Sequence, residues 1–522
     1  MQAELRRPTS GADVHIAILG AGFSGLGMGI RLLQSGIRDF TLFERAREVG
    51  GTWRDNSYPG AACDVSSHLY SFSFEQWPEW SRAYAEQPEI ERYIRHCTDK
   101  HGLRPYIRFN TEIERAEFDD TRGLWTIRDR QGRRWTADIV VNACGGLSDP
   151  AYPDIPGLGT FRGRMFHTAR WDHDFELAGK RVALIGSGAS AIQAGPAISR
   201  RVARLSVFQR TPSWILPKPD RPITEREKRR FRRFPFLLRL RRWRIFWLGE
   251  LVAPMLILDT PVLKRLLAAL ARKHVRDSLP DREMRRKVTP DYHIGCKRVL
   301  ISNDWYPMLR RANVELVTEG IESITPVGIR TRDGREREFD AIVMATGFKV
   351  PAASAPFDIR GRGGVELNRV WRRGAEAYKG VTVSGFPNLF LLMGPNTGPG
   401  HTSVLIYTEK QMDYVIKAIR YMDRRGLKWL DVRKPVQEQF NRMLQRRMKH
   451  TVWTSGCSSW YLSPDGRNTT LYPGFSWEYR LRMLRFRPSD YEKAPAGRPG
   501  SRPVPTPAPQ AGQAIEGTRE TA

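Results

Sequence analysis

The sequence predicts an α/β chain made of two Rossmann-like dinucleotide-binding domains, the second inserted in the first, with a helical insertion in the second. Three observations predict this. A glycine-rich turn joins a buried strand to a helix at Gly20; the same arrangement recurs at Gly186; and the two units end in matching strands. In the first unit, Val14–Leu19 reads as a buried parallel strand. Gly20-Ala21-Gly22-Phe23-Ser24-Gly25 is the turn, a helix runs to about Leu33, and the strand Phe40–Phe43 ends at Glu44. Gly20 allows the tight turn, Gly22 lets the backbone approach a pyrophosphate, and Gly25 lets helix and strand pack closely. The phosphates then lie at a helix N-terminus, where free N–H groups and the helix dipole favour anions.

The second unit repeats the pattern. Arg181–Ile185 is the strand, Gly186-Ser187-Gly188-Ala189-Ser190-Ala191 the turn, and Leu205–Gln209 the next strand, ending at Arg210. Arg210 lies as far beyond Gly186 as Glu44 lies beyond Gly20. A carboxylate at this place accepts hydrogen bonds from a ribose diol. A guanidinium attracts a 2′-phosphate and can bind it through two hydrogen bonds. The first site therefore suits FAD and the second NADP. Asp138–Gly145 and Asp340–Gly347 read as the last strands of the two units, each followed by a crossing point. The domain limits expected from this are 1–160 and 351–486 for the FAD domain and 161–350 for the NADP domain. The stretch 388–396 is taken as the return to the first domain, and 487–522, rich in Pro, Gly and Ala, as a disordered tail.

The second unit is longer than the first because of an arginine-rich, mostly helical insertion at about 217–290. In it Arg229, Arg230, Arg232, Arg233, Arg239, Arg241, Arg242 and Arg244 interleave with Phe231, Phe234, Phe236, Trp243, Phe246 and Trp247. The expected arrangement is an amphipathic helix packed on its own domain with its arginines in water. An interfacial helix with weak peripheral membrane contact is the other reading. Glu250 and Pro254 interrupt the apolar run and argue against insertion into a bilayer.

The net charge of the 522-residue chain is +29, and hydrophobic residues make up 40 %, enough for a sizeable core. No nucleic-acid motif accompanies the charge, so a solvated basic surface is expected and no nucleic-acid partner. Neither a signal peptide nor an apolar stretch of the roughly 20 residues a spanning helix needs is evident. The five cysteines include no C-x-x-C pair, which argues against a disulfide framework, a metal site or a dithiol redox centre. A cytoplasmic enzyme is expected.

Two further stretches narrow the chemistry. Gly50-Gly51-Thr52-Trp53 continues through Tyr58-Pro59-Gly60 to Asp64. Phe161, Gly163, His167, Trp171 and Asp172 stand in the spacing F-x-G-x-x-x-H-x-x-x-W-D. Together they resemble type I Baeyer–Villiger monooxygenases, class B flavoprotein monooxygenases, over about 14–491. The resemblance implies that NADPH reduces FAD, that O2 adds to the reduced flavin as a peroxide, and that a ketone becomes an ester or lactone. It implies catalytic roles for Arg298 and its partner Asp64. Lys297, Arg210 and Thr211 would hold the NADP 2′-phosphate, and Phe23, Gly51, Thr52, Trp53, Tyr70 and Ile113 would contact the flavin nucleotide. Trp460, in Ser459-Trp460-Tyr461, would reach the nicotinamide and substrate. His167 is expected at a hinge between domains, not as a general base. The sequon at Asn468 is read as chance. The nearest alternative is a sister flavin monooxygenase that oxidises sulfur or nitrogen. A plain reductase or a basic binding protein fits the motifs less well.

Overall fold

The computed structural model of the chain describes residues 13–349, 356–457, 459–463 and 465–495. The first sheet is assembled from β1 (Asp13–Leu19), β2 (Phe40–Phe43), β3 (Ile107–Arg108), β4 (Ile113–Asp119), β5 (Leu124–Asp129) and β6 (Arg134–Asn142). The central strand β1 runs parallel to β2 on one side and to β6 on the other, with Ile16 opposite both Phe40 and Ile139. Residues 16–19 of β1 and all of β2 are buried, as a parallel sheet covered on both faces requires. The first helix, α1 (Phe23–Gln34), buries its glycines and aliphatic side chains between this sheet and the 404–425 helix.

The second sheet is assembled from β7 (Arg164–His167), β8 (Arg181–Ile185), β9 (Arg204–Phe208), β12 (Val314–Val317) and β16 (Ala341–Met344). Its spatial order is β12-β9-β8-β16-β7 and every pairing is parallel. Strands β10 (Ile215–Leu216) and β11 (Leu300–Ile301) form a small parallel pair beside it, and β13 (Ile321–Ile324), β14 (Gly328–Thr331) and β15 (Glu336–Glu338) form an antiparallel flap. The chain then returns to the first sheet. Strand β17 (Asp358–Arg360) adds to β4, and β18 (Leu389–Leu391) lies parallel to β6. The second sheet is therefore inserted in the first, as the paired glycine turns indicate.

Two sequence expectations are corrected. The chain beyond Arg487 is not all tail. After β19 (Leu427–Val432), the final strand β20 (Tyr491–Pro495) pairs antiparallel with it, and Tyr491 is buried among Tyr414, Phe486 and Tyr378. One aromatic residue with a hydroxyl partner outweighs the local Pro/Ala composition. The rest of the expected tail, 496–522, lies outside the described residues.

Pro254 lies inside the helical insertion. The 217–290 segment forms α5 (Glu225–Arg233), α6 (Pro235–Ile257), α7 (Pro261–Ser278) and α8 (Arg282–Val288), following α2 (Thr52–Asp55), α3 (Gln87–Lys100) and α4 (Ala191–Ile198) in the chain. Pro254 sits in the last turn of α6, where it removes one backbone bond without ending the helix. Glu250 is buried, accepting from Ser476 Oγ and pairing with His401 Nε2 at 3.3 Å.

Second, α6 is only half packed. Leu238, Arg242, Phe246, Glu250 and Ala253 recur at helical spacing and face inward. Arg242 is not in water: its guanidinium donates to the carbonyls of His68, Leu69 and Ser71 at 3.1, 2.9 and 2.9 Å. Phe236, Trp243 and Trp247 point outward and are exposed. No single helix among the described residues is long and apolar enough to cross a membrane. The sequon residue Asn468 is buried, its side-chain oxygen accepting from the amides of Thr470 and Leu471.

Candidate active site

The two glycine turns are built alike. Gly20 and Gly186 both have positive φ (102° and 124°), and a Cβ on either would press on the last-strand residue beyond it, Ala143 or Ala345. Neither α1 nor α4 has a side-chain cap at its N-terminus, so the first-turn N–H groups face outward without a protein acceptor from the cap. A Cβ added to Gly188 would meet nothing within 4 Å, which leaves room for a ligand against the backbone. Ser187 Oγ donates to the Thr211 carbonyl at 2.8 Å and ties the second turn to the end of β9. Ala189 and Ser190 complete that turn, and Ala191 is buried at the first position of α4.

Glu44 lies buried at the end of β2. Its Oε2 accepts from the Ala21 amide at 2.9 Å, and its Oε1 accepts from the Ala46 amide and from Arg54, each at 3.0 Å. A carboxylate offers about four lone-pair positions, so the chain itself engages most of this one. Gly51 lies against Gly22, within 3.1 Å for a Cβ placed on it, so the second glycine pair exists to let two turns touch backbone to backbone. Thr52 opens α2, and Trp53 donates through its indole N–H to Tyr70 at 3.0 Å, with Phe23 packed edge-on to Tyr70. Ile113 opens β4 and packs half-buried on the far side of the first sheet.

Arg210 is exposed at the end of β9. Burial and the positive charge of Arg210 lower the Lys297 ammonium from its usual range, and Tyr292 supports Lys297 from 4.8 Å. A lysine lowered by a neighbouring arginine fits a site that takes an anion. One residue on, Arg298 makes a double contact with one oxygen of Asp64, 2.8 Å from Nε and 2.7 Å from Nη2. The pair joins the first sheet's motif to the second sheet's loop. Asp64 holds the guanidinium well above its usual range, so Arg298 is a permanent cation. Tyr461 faces the same pair. Burial pushes its hydroxyl up to about 12, against the opposing pull of Arg298.

The sequence expectation has Trp460 reach the nicotinamide and substrate. Trp460 is 43 % exposed and its ring leans on Tyr461 at 4.4 Å; Tyr461 is the side chain turned toward Arg298. A neighbouring aromatic pair in a loop gives no sequence signal of which ring turns inward. The cysteine expectation is corrected. Cys296 and Cys457 form a disulfide with Cα atoms 6.1 Å apart, clamping the Tyr461 loop to the segment that carries Lys297 and Arg298. The two are 161 positions apart in sequence, and only the fold brings them together. Among the described residues no group of side chains could hold a metal ion.

The Phe161–Asp172 stretch is the seam between the sheets. The Phe161 ring covers Gly163, where a Cβ would come within 2.5 Å of it. Trp171 packs with Tyr58, Ala61 and Ala194, joining α4 to the Tyr58-Pro59-Gly60 turn. Tyr58 donates to Gln193 on α4 at 2.7 Å, and Asp172 pairs with Arg164 at 2.6 Å. His167 is fully buried between Tyr152 and Phe348 at the crossing strands, and its Nδ1 accepts from the Ala169 amide at 3.0 Å. These partners, Tyr152, Phe348 and Ala169, belong to neither glycine turn. Burial, helped by Arg170, lowers its imidazole to about 4.

His167 therefore stays neutral when folded and gains a proton near pH 6.5 when unfolded. The unfolded chain binds more protons between pH 6.5 and 4, so the stability contribution falls as pH falls through that window, by up to about 3 kcal/mol. His167→Asn keeps the capping acceptor and removes the titration. Thermal melts from pH 7.5 to 4.5 should be flatter for the variant than for the parent; parallel curves would place the sensitivity elsewhere.

Residues 13–228 match the model of the flavin-binding monooxygenase-like family. The chain is 51 % identical to a Baeyer–Villiger monooxygenase of Pseudomonas aeruginosa, over 93 % of both chains. It is 45 % identical to another of Streptomyces coelicolor, over 92 % of both. A solved steroid monooxygenase bound to NADP superposes with a TM-score of 0.83 at 30 % identity, over 92 % of this chain and 99 % of that one. The chain belongs to the Baeyer–Villiger monooxygenases, flavoproteins that use NADPH, and this decides against the sulfur- and nitrogen-oxidising sister reading.

Proposed function

We propose that the chain converts a ketone to an ester or lactone, with FAD at the Gly20 turn, NADPH at the Gly186 turn, and the Asp64–Arg298 pair as the catalytic cation. The observation that carries the reading is that ion pair, which bridges the two nucleotide folds. When bound, FAD reduced by NADPH supplies activated oxygen from O2. The protein's part is electrostatic. Arg298 presents a fixed positive charge where negative charge grows on the carbonyl oxygen, and Asp64 holds its orientation. Tyr461 and the loop that carries it close that side against water. Trp53 and Tyr70 position the flavin ring system, and the Phe161–Asp172 seam couples the sheets. A cytoplasmic location supplies NADPH, and there the Cys296–Cys457 pair would be held reduced.

The direct test is product analysis: linear, cyclic and aryl ketones are supplied with NADPH and air, and ester or lactone is sought by mass. Ester from none of them would overturn the reading. Lys297 and Arg210 are assigned to the 2′-phosphate. Arg210→Ala should raise the NADPH KM and narrow the NADPH/NADH preference by about ten- to a hundredfold, the worth of one charge-assisted double hydrogen bond. An unchanged preference would show that the phosphate is held elsewhere.

A further inference from the structure

The outer side of α6 has no partner within the chain. Phe236, Leu240, Trp243, Trp247 and Leu251 recur at spacings of three and four and form one stripe, with Trp243 60 % and Leu251 70 % exposed. Exposed apolar residues continue through Leu258 to Val262 (76 %) and Leu266 (64 %) on α7. Scattered surface leucines need no explanation, but a continuous stripe with two tryptophans does. Beside it lies a depression lined by Arg226, Arg229, Arg230, Arg232, Arg233 and Phe234, and Arg239 and Arg244 flank the stripe itself.

We propose that α5, α6 and α7 form a docking surface for an anionic lipid bilayer, with the aromatic stripe entering the headgroup layer and the arginine depression receiving lipid phosphates. Tryptophan at the water–apolar boundary with arginines alongside is the composition of a helix lying in the interface plane. Charge selects this occupant over a second copy of the chain, because two such faces would bring their arginine clusters together in a protein of net charge +29. Crossing the bilayer is opposed by Arg239, Arg241, Arg242 and Arg244 within α6 and by the 109° bend between α6 and α7. The inner side of the same helix ends beside the active site. Met255, Leu256 and Ile257 pack with Trp453 and Tyr461, and a Cβ on Gly295 would press on Leu256.

The test uses the full-length flavin-loaded protein at physiological salt and vesicles of phosphatidylcholine alone or with about one-third phosphatidylglycerol. Sedimentation should bind at least about tenfold more protein to the anionic vesicles. The variant Trp243→Ser/Trp247→Ser/Leu251→Ser should lose that binding while keeping its flavin spectrum. Val262→Ser/Leu266→Ser, on the other helix, provides a second variant should the first misfold. Protein left in the supernatant with both vesicles would overturn the proposal. So would equal binding by parent and both folded variants, which would mark mere charge attraction, or a parent dimer that the variants convert to monomer without vesicle binding. No ketone or NADPH is needed, so this outcome is independent of the assigned reaction.

Discussion

Arg298→Ala should leave the protein folded, with FAD bound and reducible by NADPH, and lower ester formation by at least about a thousandfold. The expectation follows from what the guanidinium does and where it is held. It is half-buried and pinned to one Asp64 oxygen by two contacts, and that carboxylate keeps it charged at every working pH. A fixed cation in a site closed to water stabilises growing negative charge far better than solvent does, because it has no reorganisation cost. Alanine leaves Asp64 without its partner and replaces the cation with space. NADPH consumption should continue without ester, so oxidation of the coenzyme becomes uncoupled from product. Arg298→Lys should fall between the two, since an ammonium keeps the charge but cannot make the paired contact. Gas chromatography of ester alongside NADPH consumption separates these outcomes. Ester at near-normal rate in the alanine variant would remove Arg298 from catalysis.

Gly25→Ala should abolish FAD binding and destabilise the first domain by about 3 kcal/mol or more. A Cβ on Gly25 would sit 1.9 Å from the Gly20 carbonyl oxygen and 3.4 Å from the Ala143 side chain. The close neighbour is backbone of the turn that must receive the pyrophosphate, so relief requires moving the turn itself. The second unit supplies the contrast: Ala191 occupies the corresponding third position and is fully buried there. The same methyl group is thus native in one turn and excluded from the other. The flavin-to-protein absorbance ratio of the purified variant checks the prediction; full occupancy with an unchanged Tm would show that the α1 turn can shift.

Much of this was legible in the residues. A buried strand, a glycine turn and a helix are all local, and their sequence signals are local too. Hence β1, α1, β8 and the Gly186 turn fall where the pattern puts them. The Glu44/Arg210 contrast needs only register within two copies of one unit. The resemblance carried Asp64 and Arg298, which the fold brings into contact across 234 positions.

What escaped depends on which side of an element meets another element far away in the chain. Arg242 looked like its neighbouring arginines, yet it alone among the arginines of the α6 stretch turns inward to cap three carbonyls. Tyr461, which no sequence pattern singled out, is the aromatic residue buried toward Arg298. The Cys296–Cys457 pair and the docking of Tyr491 likewise lie at long sequence separation.

The sequence by itself therefore determined the two nucleotide folds, their order and the identity of the charged residues, because backbone propensity, spacing and side-chain chemistry are properties of short segments. The tertiary structure alone decided that Tyr461 lies buried toward Arg298, why Gly25 admits no methyl group, and that the aromatic side of α6 faces outward. Those outcomes depend on distances between segments that no local pattern encodes.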